Sequence, residues 1–180
     1  EKQTNGIDDD GNGYVDDFYG WDFIGNLSEQ EFLDSAFKPD NNPQPLPAPK
    51  QIPHGTLVAG CASAVTNNDR GVAGAGYHTR LILTKCAPDS SGSMLYDVYD
   101  AMRYAVDRGA RILNLSWGAS ESELAPGELP LMEEAIAYAR SNNVLVVASA
   151  GNDGLFLGRN PFYPADLPGV MSVGASNSNN

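Results

Sequence analysis

The chain has 180 residues, with 23 acidic against 11 basic side chains, a net charge of −12 and a hydrophobic content of 42%. That length and composition suit a globular domain with a core of its own. The charge argues against nucleic acid as a partner, because phosphate binding needs clustered Lys and Arg, and no apolar run approaches the ~20 residues of a membrane span.

Residues 1–20 are a Gly/Asp/Asn loop, and FYGWDFIG (Phe18–Gly25) reads as an aromatic strand. Residues 26–53 are polar, then proline-rich, with five prolines between Pro39 and Pro49. That composition predicts an exposed irregular loop, with room for one or two helical turns in SEQEFLDSAF. GTLVAGCASAV, from Gly55, is small and apolar and predicts a buried helix opened by His54. TNNDRGVAGAG is a turn and RLILTKCA a short buried strand. The segment 94–109 carries Leu95, Val98, Met102, Ala105 and Val106 at helical spacing and closes on Gly109, which predicts an amphipathic helix. ARILNLSWG is the next strand, ELPLMEEAIAYARSNN the next helix, VLVVASAGNDG a strand apolar enough to be covered on both faces, and VMSVGAS one more strand. Continuous apolar strands alternating with helices predict an α/β fold with a mostly parallel sheet. In such sheets ligands bind at the carboxyl ends of the strands, where SWG and SAGNDG stand.

Five of the acids fall between Asp8 and Asp17. Asp8, Asp10, Asn12, Gly13, the Tyr14 carbonyl and Asp16 match positions 1, 3, 5, 6, 7 and 9 of an EF-hand-like loop. A hard cation takes oxygen ligands on alternating residues, with glycine at the bend. Tyr19 stands where an EF-hand has its glutamate, so this is not an EF-hand, and Asp17 is the neighbour that can add an oxygen. A structural Ca²⁺ is the expected occupant; a solvated acidic turn is the alternative. Cys61 and Cys86 lie in apolar sequence and read as two buried free thiols, with a disulfide between them as the alternative.

HGTLVAG (His54–Gly60), ILNLSWG (Ile112–Gly118) and VVASAGNDG (Val146–Gly154), in that order, resemble the subtilisin-like serine proteases, peptidase family S8. AVTNNDRGVAG and GWDF resemble the thermitase-like branch. The resemblance covers nearly the whole chain. It implies a three-layer subtilisin-like sandwich truncated at both ends. The chain is then one partial peptidase domain over 1–180, with a calcium-loop and Pro-rich region over 1–53 and an α/β core over 54–180. His54 is implied to be the general base, a role suited to an imidazole titrating near neutrality, with Gly55 allowing a tight approach. Leu57 stands where many members have a second histidine and reads as a packing change. Asn152 is implied to donate to the oxyanion, a contribution of about 10²–10³ in turnover in subtilisin itself.

The peptide is implied to lie between Ser91–Gly92–Ser93 and Leu115–Ser116–Trp117–Gly118, adding itself to the sheet. Ala148, Ser149, Ala150 and Gly151 form a wall of the pocket for the residue before the cut. Trp117, often leucine in the family, alters subsite shape or is a core aromatic. A second calcium turn is implied at the carbonyls of Val65, Arg70 and Val72 with the Asn68 side chain. Asp22 matches a third family site only weakly.

The triad aspartate and serine, in settings like DTG and GTSMA, do not occur in the sequence; Ser116 and Ser149 belong to the substrate strands. The expected function is therefore a serine endopeptidase domain working through an acyl-enzyme, in a segment inactive alone. The implied partners are polypeptide substrates and a propeptide, in a secreted monomer. The competing expectation is a calcium-binding interaction domain that binds peptides or proteins without cutting them. A nucleotide-binding α/β protein is a poor third, since SAGNDG lacks GxGxxG spacing.

Overall fold

A computed structural model describes residues 4–25, 37–45, 53–88 and 94–178. The fold is α/β with mostly parallel strand pairing. The chain forms two compact units, Glu1–Ala101 and Met102–Asn180.

In the first unit, β1 (Gly20–Asp22) pairs in parallel with β2 (Leu83–Lys85). Gly20 sits so close to the Leu83 backbone that a Cβ would overlap it, and its φ of 128° also favours glycine. The other edge of β1 bridges to the proline-rich loop: Asp22 and Asp40 exchange backbone hydrogen bonds at 2.8 and 3.0 Å. The core here holds Phe23 and Ile24 together with two buried acids, Asp17 and Asp22. Tyr14 stands edge-on to Trp21 with ring centres 5.0 Å apart. Asp22 is compensated on both oxygens. One accepts the amides of Ile24 and Gly25 at 2.9 and 2.8 Å; the other faces Lys85 Nζ at 2.8 Å.

Helix α1 (His54–Ser63) forms where expected, but none of its residues is buried. A helix apolar on every side needs neighbours on every side to be buried; at its carboxyl end the Ala75 and Gly76 amides donate to the carbonyls of Cys61 and Ala62. Cys61 is accordingly exposed rather than buried, while Cys86 is half-buried; both are free thiols. Leu57 is exposed too.

The chain order continues with α2 (Val98–Asp107), β3 (Ile112–Leu115), β4 (Ala119–Ser120), α3 (Glu128–Ser141), β5 (Leu145–Ser149), β6 (Phe162–Tyr163) and β7 (Val170–Val173). Helix α2 starts later than its apolar spacing predicts, because Asp97 takes a left-handed φ of 50° just before it. It ends at Gly109, also left-handed, with Ala110 donating to the Ala105 carbonyl at 3.0 Å. Helix α3 buries Met132, Ala135, Ile136 and Ala139, one stripe at i, i+3, i+4, i+7. It lies against β5.

In the second unit β3, β5 and β7 form a parallel sheet with β5 in the middle. Leu113, Leu115, Val146 and Ala148 point into the core. The other face carries Ile112, Leu145, Met171 and Val173, all exposed. The expected double coverage of β5 is therefore not seen among the described residues: its burial alternates, as for a strand covered on one side.

Candidate functional site

Strands β3 and β5 run side by side with Leu115 opposite Ala148. The chain leaves both at adjacent carboxyl ends, so Leu115–Gly118 and Ala148–Asn152 become neighbours at one edge of the sheet. Asn114 Nδ2 donates to Ser116 Oγ at 2.9 Å, holding the start of the first segment. The second segment is held by the Ala150 amide on the Val173 carbonyl at 2.9 Å and by the Gly151 amide on Ser149 Oγ at 3.3 Å. Gly151 then turns with φ 85° and delivers Asn152 exposed to solvent. Ala148 is buried; Ser149, Ala150, Gly151, Ser116, Trp117 and Gly118 are half-buried.

Gly118 leads into β4, which pairs antiparallel with β6, Ser120 opposite Phe162. The Phe162 ring lies over Gly118, where any Cβ would overlap it, and a Cβ on Gly151 would stand 3.4 Å from the same ring. Beside it opens a cavity of about 540 Å³ bounded by Ser120, Glu121, Ala150, Asp153, Arg159 and Phe162, among others. Burial, then the charges of Glu121, Asp166 and Glu133, push the Tyr163 hydroxyl above the usual phenol value. None of Phe162, Asp153, Glu121 and Arg159 was singled out by motif; the available signal was two side-chain-free positions, Gly118 and Gly151, that need a third residue to fill the space between them.

His54 opens α1 in the first unit, exposed, after Pro53 with φ −57°. A Cβ on Gly55 would meet nothing within 4 Å, so no close approach at that glycine is seen among the described residues. Ser91–Ser93 lie outside the described residues, as does most of the helical-turn segment 28–37.

The acidic loop is tightly self-bonded. Asp8 accepts the amides of Gly11, Asn12 and Gly13 at 2.8, 3.1 and 2.8 Å. The Gly13 amide leads in holding its carboxyl below the usual carboxylate range. Asn12 Nδ2 reaches Asp10 at 3.3 Å and Asp17 at 3.0 Å, while the Tyr14 amide donates to Asn12 Oδ1 at 2.7 Å. The oxygens of Asp8, Asp10, Asn12 and Asp17 are thus gathered around one turn. Asp16 is turned elsewhere, accepting the amides of Asn5 and Gly6 at 2.7 and 2.9 Å. The side chains of this loop offer hard oxygen atoms, the donor class that Ca²⁺ takes. No three His, Cys, Asp or Glu side chains of the described residues meet in metal-binding geometry; a site here would draw also on Asn12 and carbonyl oxygens.

The turn 65–73 encloses a separate cup of about 340 Å³. Asn67, Asp69 and Gly71 take φ values of 56°, 55° and 61°, and this alternation curls the turn on itself. Val65 and Val72 stand exposed at its rim. Asn68 Oδ1 accepts the Arg70 amide at 3.1 Å. Asp22 is fully buried with its charge met by Lys85 at 2.8 Å, which leaves it poorly suited to a third metal site.

The profile of the subtilase family matches residues 8–180. The thermophilic serine proteinase of Bacillus sp. strain AK1 is 38% identical over 68% of this chain and 28% of its own length. Thermitase of Thermoactinomyces vulgaris is 30% identical over 89% of this chain and 48% of its own. Among solved structures, the prenylagaramide maturation protease PagA superposes with a TM-score of 0.61 at 28% identity, over 88% of this chain and 53% of that one. The chain thus spans about half or less of the length of these relatives.

Proposed function

The chain belongs to the subtilase family, thermitase-like branch, and on that premise we propose that it is part of the catalytic domain of a secreted, calcium-stabilised serine endopeptidase. The observation that carries the reading is the register of β3 on β5, Leu115 opposite Ala148, which sets the two substrate-facing segments side by side. A peptide adds to Leu115–Gly118 as an extra strand through backbone hydrogen bonds. The residue before the cut enters against Ala148–Gly151. Asn152, exposed just beyond, donates its side-chain amide to the oxyanion that develops on the attacked carbonyl. His54 takes the proton of the attacking serine and returns it to the leaving amine.

The orienting aspartate and the nucleophilic serine have no motif in these 180 residues. With two triad members absent, only weak residual rate enhancement survives, and the 180-residue chain alone does not turn over peptide bonds at triad rates. Asp8, Asp10, Asn12, the Tyr14 carbonyl and Asp17 hold one Ca²⁺; the carbonyls of Val65, Arg70 and Val72 with Asn68 hold another.

The test is a serine-directed fluorophosphonate probe applied to the natural polypeptide that carries this sequence, with and without a calcium chelator. The expected result is label on a single serine outside residues 1–180, reduced by chelation. A polypeptide that folds, binds calcium and takes no label supports instead a non-catalytic peptide-binding domain.

A further inference from the structure

We propose that Asn5 and Asn12 are deamidation sites held closed by Asp16 and Asp8, so that each records an opening of the amino-terminal loop by turning irreversibly into aspartate or isoaspartate. They are the two asparagines of the sequence that glycine follows. In such a pair the glycine nitrogen attacks the asparagine Cγ, because no side chain hinders its approach and the glycine backbone turns freely. A bond forms between that nitrogen and Cγ, the Cγ–Nδ2 bond breaks, and ammonia leaves with the proton of the attacking amide. Water then opens the cyclic imide at either carbonyl. The net reaction consumes water and releases ammonia, with no oxidant or reductant.

The folded loop opposes this in the same three ways at both sites. The attacking N–H is bound to a carboxylate: Gly6 donates to Asp16 at 2.9 Å and Gly13 to Asp8 at 2.8 Å. An anion on that proton disfavours the amide anion that must form. The side-chain oxygen is held by the amide two residues on, Asn5 Oδ1 by Ile7 at 2.9 Å and Asn12 Oδ1 by Tyr14 at 2.7 Å. The leaving nitrogen is held as well, Asn5 Nδ2 on Asp9 at 3.0 Å and Asn12 Nδ2 on Asp17 at 3.0 Å. Swinging Cγ onto the glycine nitrogen breaks all three contacts, so the reaction waits for the loop to open. Its products do not reclose. A carboxylate now stands where an Nδ2 donor faced Asp9 or Asp17, and like charges at that range repel. Isoaspartate also lengthens the backbone inside a turn whose bonds fix its length.

The test follows deamidation by peptide mapping and mass spectrometry in the natural polypeptide that carries this sequence, held in mildly alkaline buffer with a serine-protease inhibitor, beside a synthetic peptide of residues 3–16. Native protein is expected to keep both asparagines over the time in which the peptide loses both. A hydrogen bond to a charged group holds its partner closed by a factor of about 10–100, so Asp16→Ala should speed the loss of Asn5 by about that factor and spare Asn12. Asp8→Ala should do the reverse. A ratio of Asn5 loss to Asn12 loss that is the same in native protein and in both variants overturns the proposal, as does native loss at the rate of the peptide. Should circular dichroism show that a variant has not folded, hydrogen exchange in native protein decides. Protection of the Gly6 and Gly13 amides upholds the proposal, and exchange as fast as in the peptide overturns it.

Discussion

Asp22 is fully buried, and Lys85 reaches it at 2.8 Å with only 10% of its side chain exposed. Removing one partner of such a pair strands a charge in the interior, at a cost of about 3–5 kcal/mol. Lys85→Met is therefore expected to lower the urea-unfolding free energy by that amount, whereas Asp22→Asn with Lys85→Met together costs less than the lysine change alone. Equal losses would mean the pair is not coupled. The two thiols make a second prediction at this scale. Cys86 is pushed up from 9.0 to about 12, by burial first and then by Asp97 and Asp22. A raised folded-state value favours the protonated thiol: this contribution to stability is whole below 9.0 and is lost as pH climbs toward about 12. The thiolate is the reactive form. At about pH 8.5, near the ordinary thiol value, iodoacetamide should label exposed Cys61 and spare Cys86 in the folded chain. Mass spectrometry showing both labelled at one rate would refute this. Cys61 illustrates what sequence does not carry: apolar neighbours in the chain fix a residue's company on its helix, not whether another element covers that face. Asp16 adds a second case: spacing places it at a loop position, and only the backbone's turn there, φ 57°, shows that its carboxylate accepts the Asn5 and Gly6 amides.

Elements with a strong period were legible along most of their length. The α3 stripe of Met132, Ala135, Ile136 and Ala139 is buried as spacing demands, and the strands at 112–115, 145–149 and 170–173 fall inside their apolar runs. Strand β5 is where the pattern misled: Leu145–Val146–Val147–Ala148 is apolar at every position, yet burial alternates along it. Composition states what a face can tolerate; the number of layers on it is set by the rest of the fold. Two substitutions in α3 separate these effects. Met132 is 1% exposed and Leu131 54% exposed. Met132→Ala should cost about 2–5 kcal/mol through lost burial and a cavity, and Leu131→Ala within about 0.5 kcal/mol, both read from denaturant unfolding. The exposed sheet face is open to a different test. Ile112, Leu145, Met171 and Val173 together form an exposed apolar surface, which is expected to bind hydrophobic dyes and promote association. Leu145→Ser with Met171→Ser should cut dye binding and sedimentation-detected association. Unaltered dye binding would place the exposed apolar surface elsewhere.

At the scale of the whole molecule, a net charge of −12 on 180 residues repels itself and weakens the compact state. Five of the acids are concentrated between Asp8 and Asp17, so neutralising that one loop relieves a large share of the repulsion. Two distinct effects would follow from adding calcium. Any salt screens exposed charges, with a Debye length of about 10 Å at 0.1 M. A cation bound only by the folded chain adds RT ln(1 + [L]/Kd), about 2.7 kcal/mol at a hundredfold excess over Kd. Thermal unfolding in CaCl₂, in MgCl₂ and in NaCl at matched ionic strength tells them apart. Calcium is expected to raise the midpoint beyond both other salts, because the loop offers many oxygens, suited to the roughly 6–8 ligands Ca²⁺ takes, whereas Mg²⁺ demands a tight octahedron. Asp8→Asn with Asp17→Asn should abolish most of that excess while leaving the NaCl effect in place, and Asn68→Ala should remove only the share belonging to the turn at 65–73. Asp16→Asn provides the deciding control. Its carboxylate caps the Asn5 and Gly6 amides, so it should lower the midpoint equally with and without calcium. Should Asp16→Asn erase the calcium excess while Asp17→Asn spares it, the loop binds as its spacing predicts and the assignment to Asp17 is wrong.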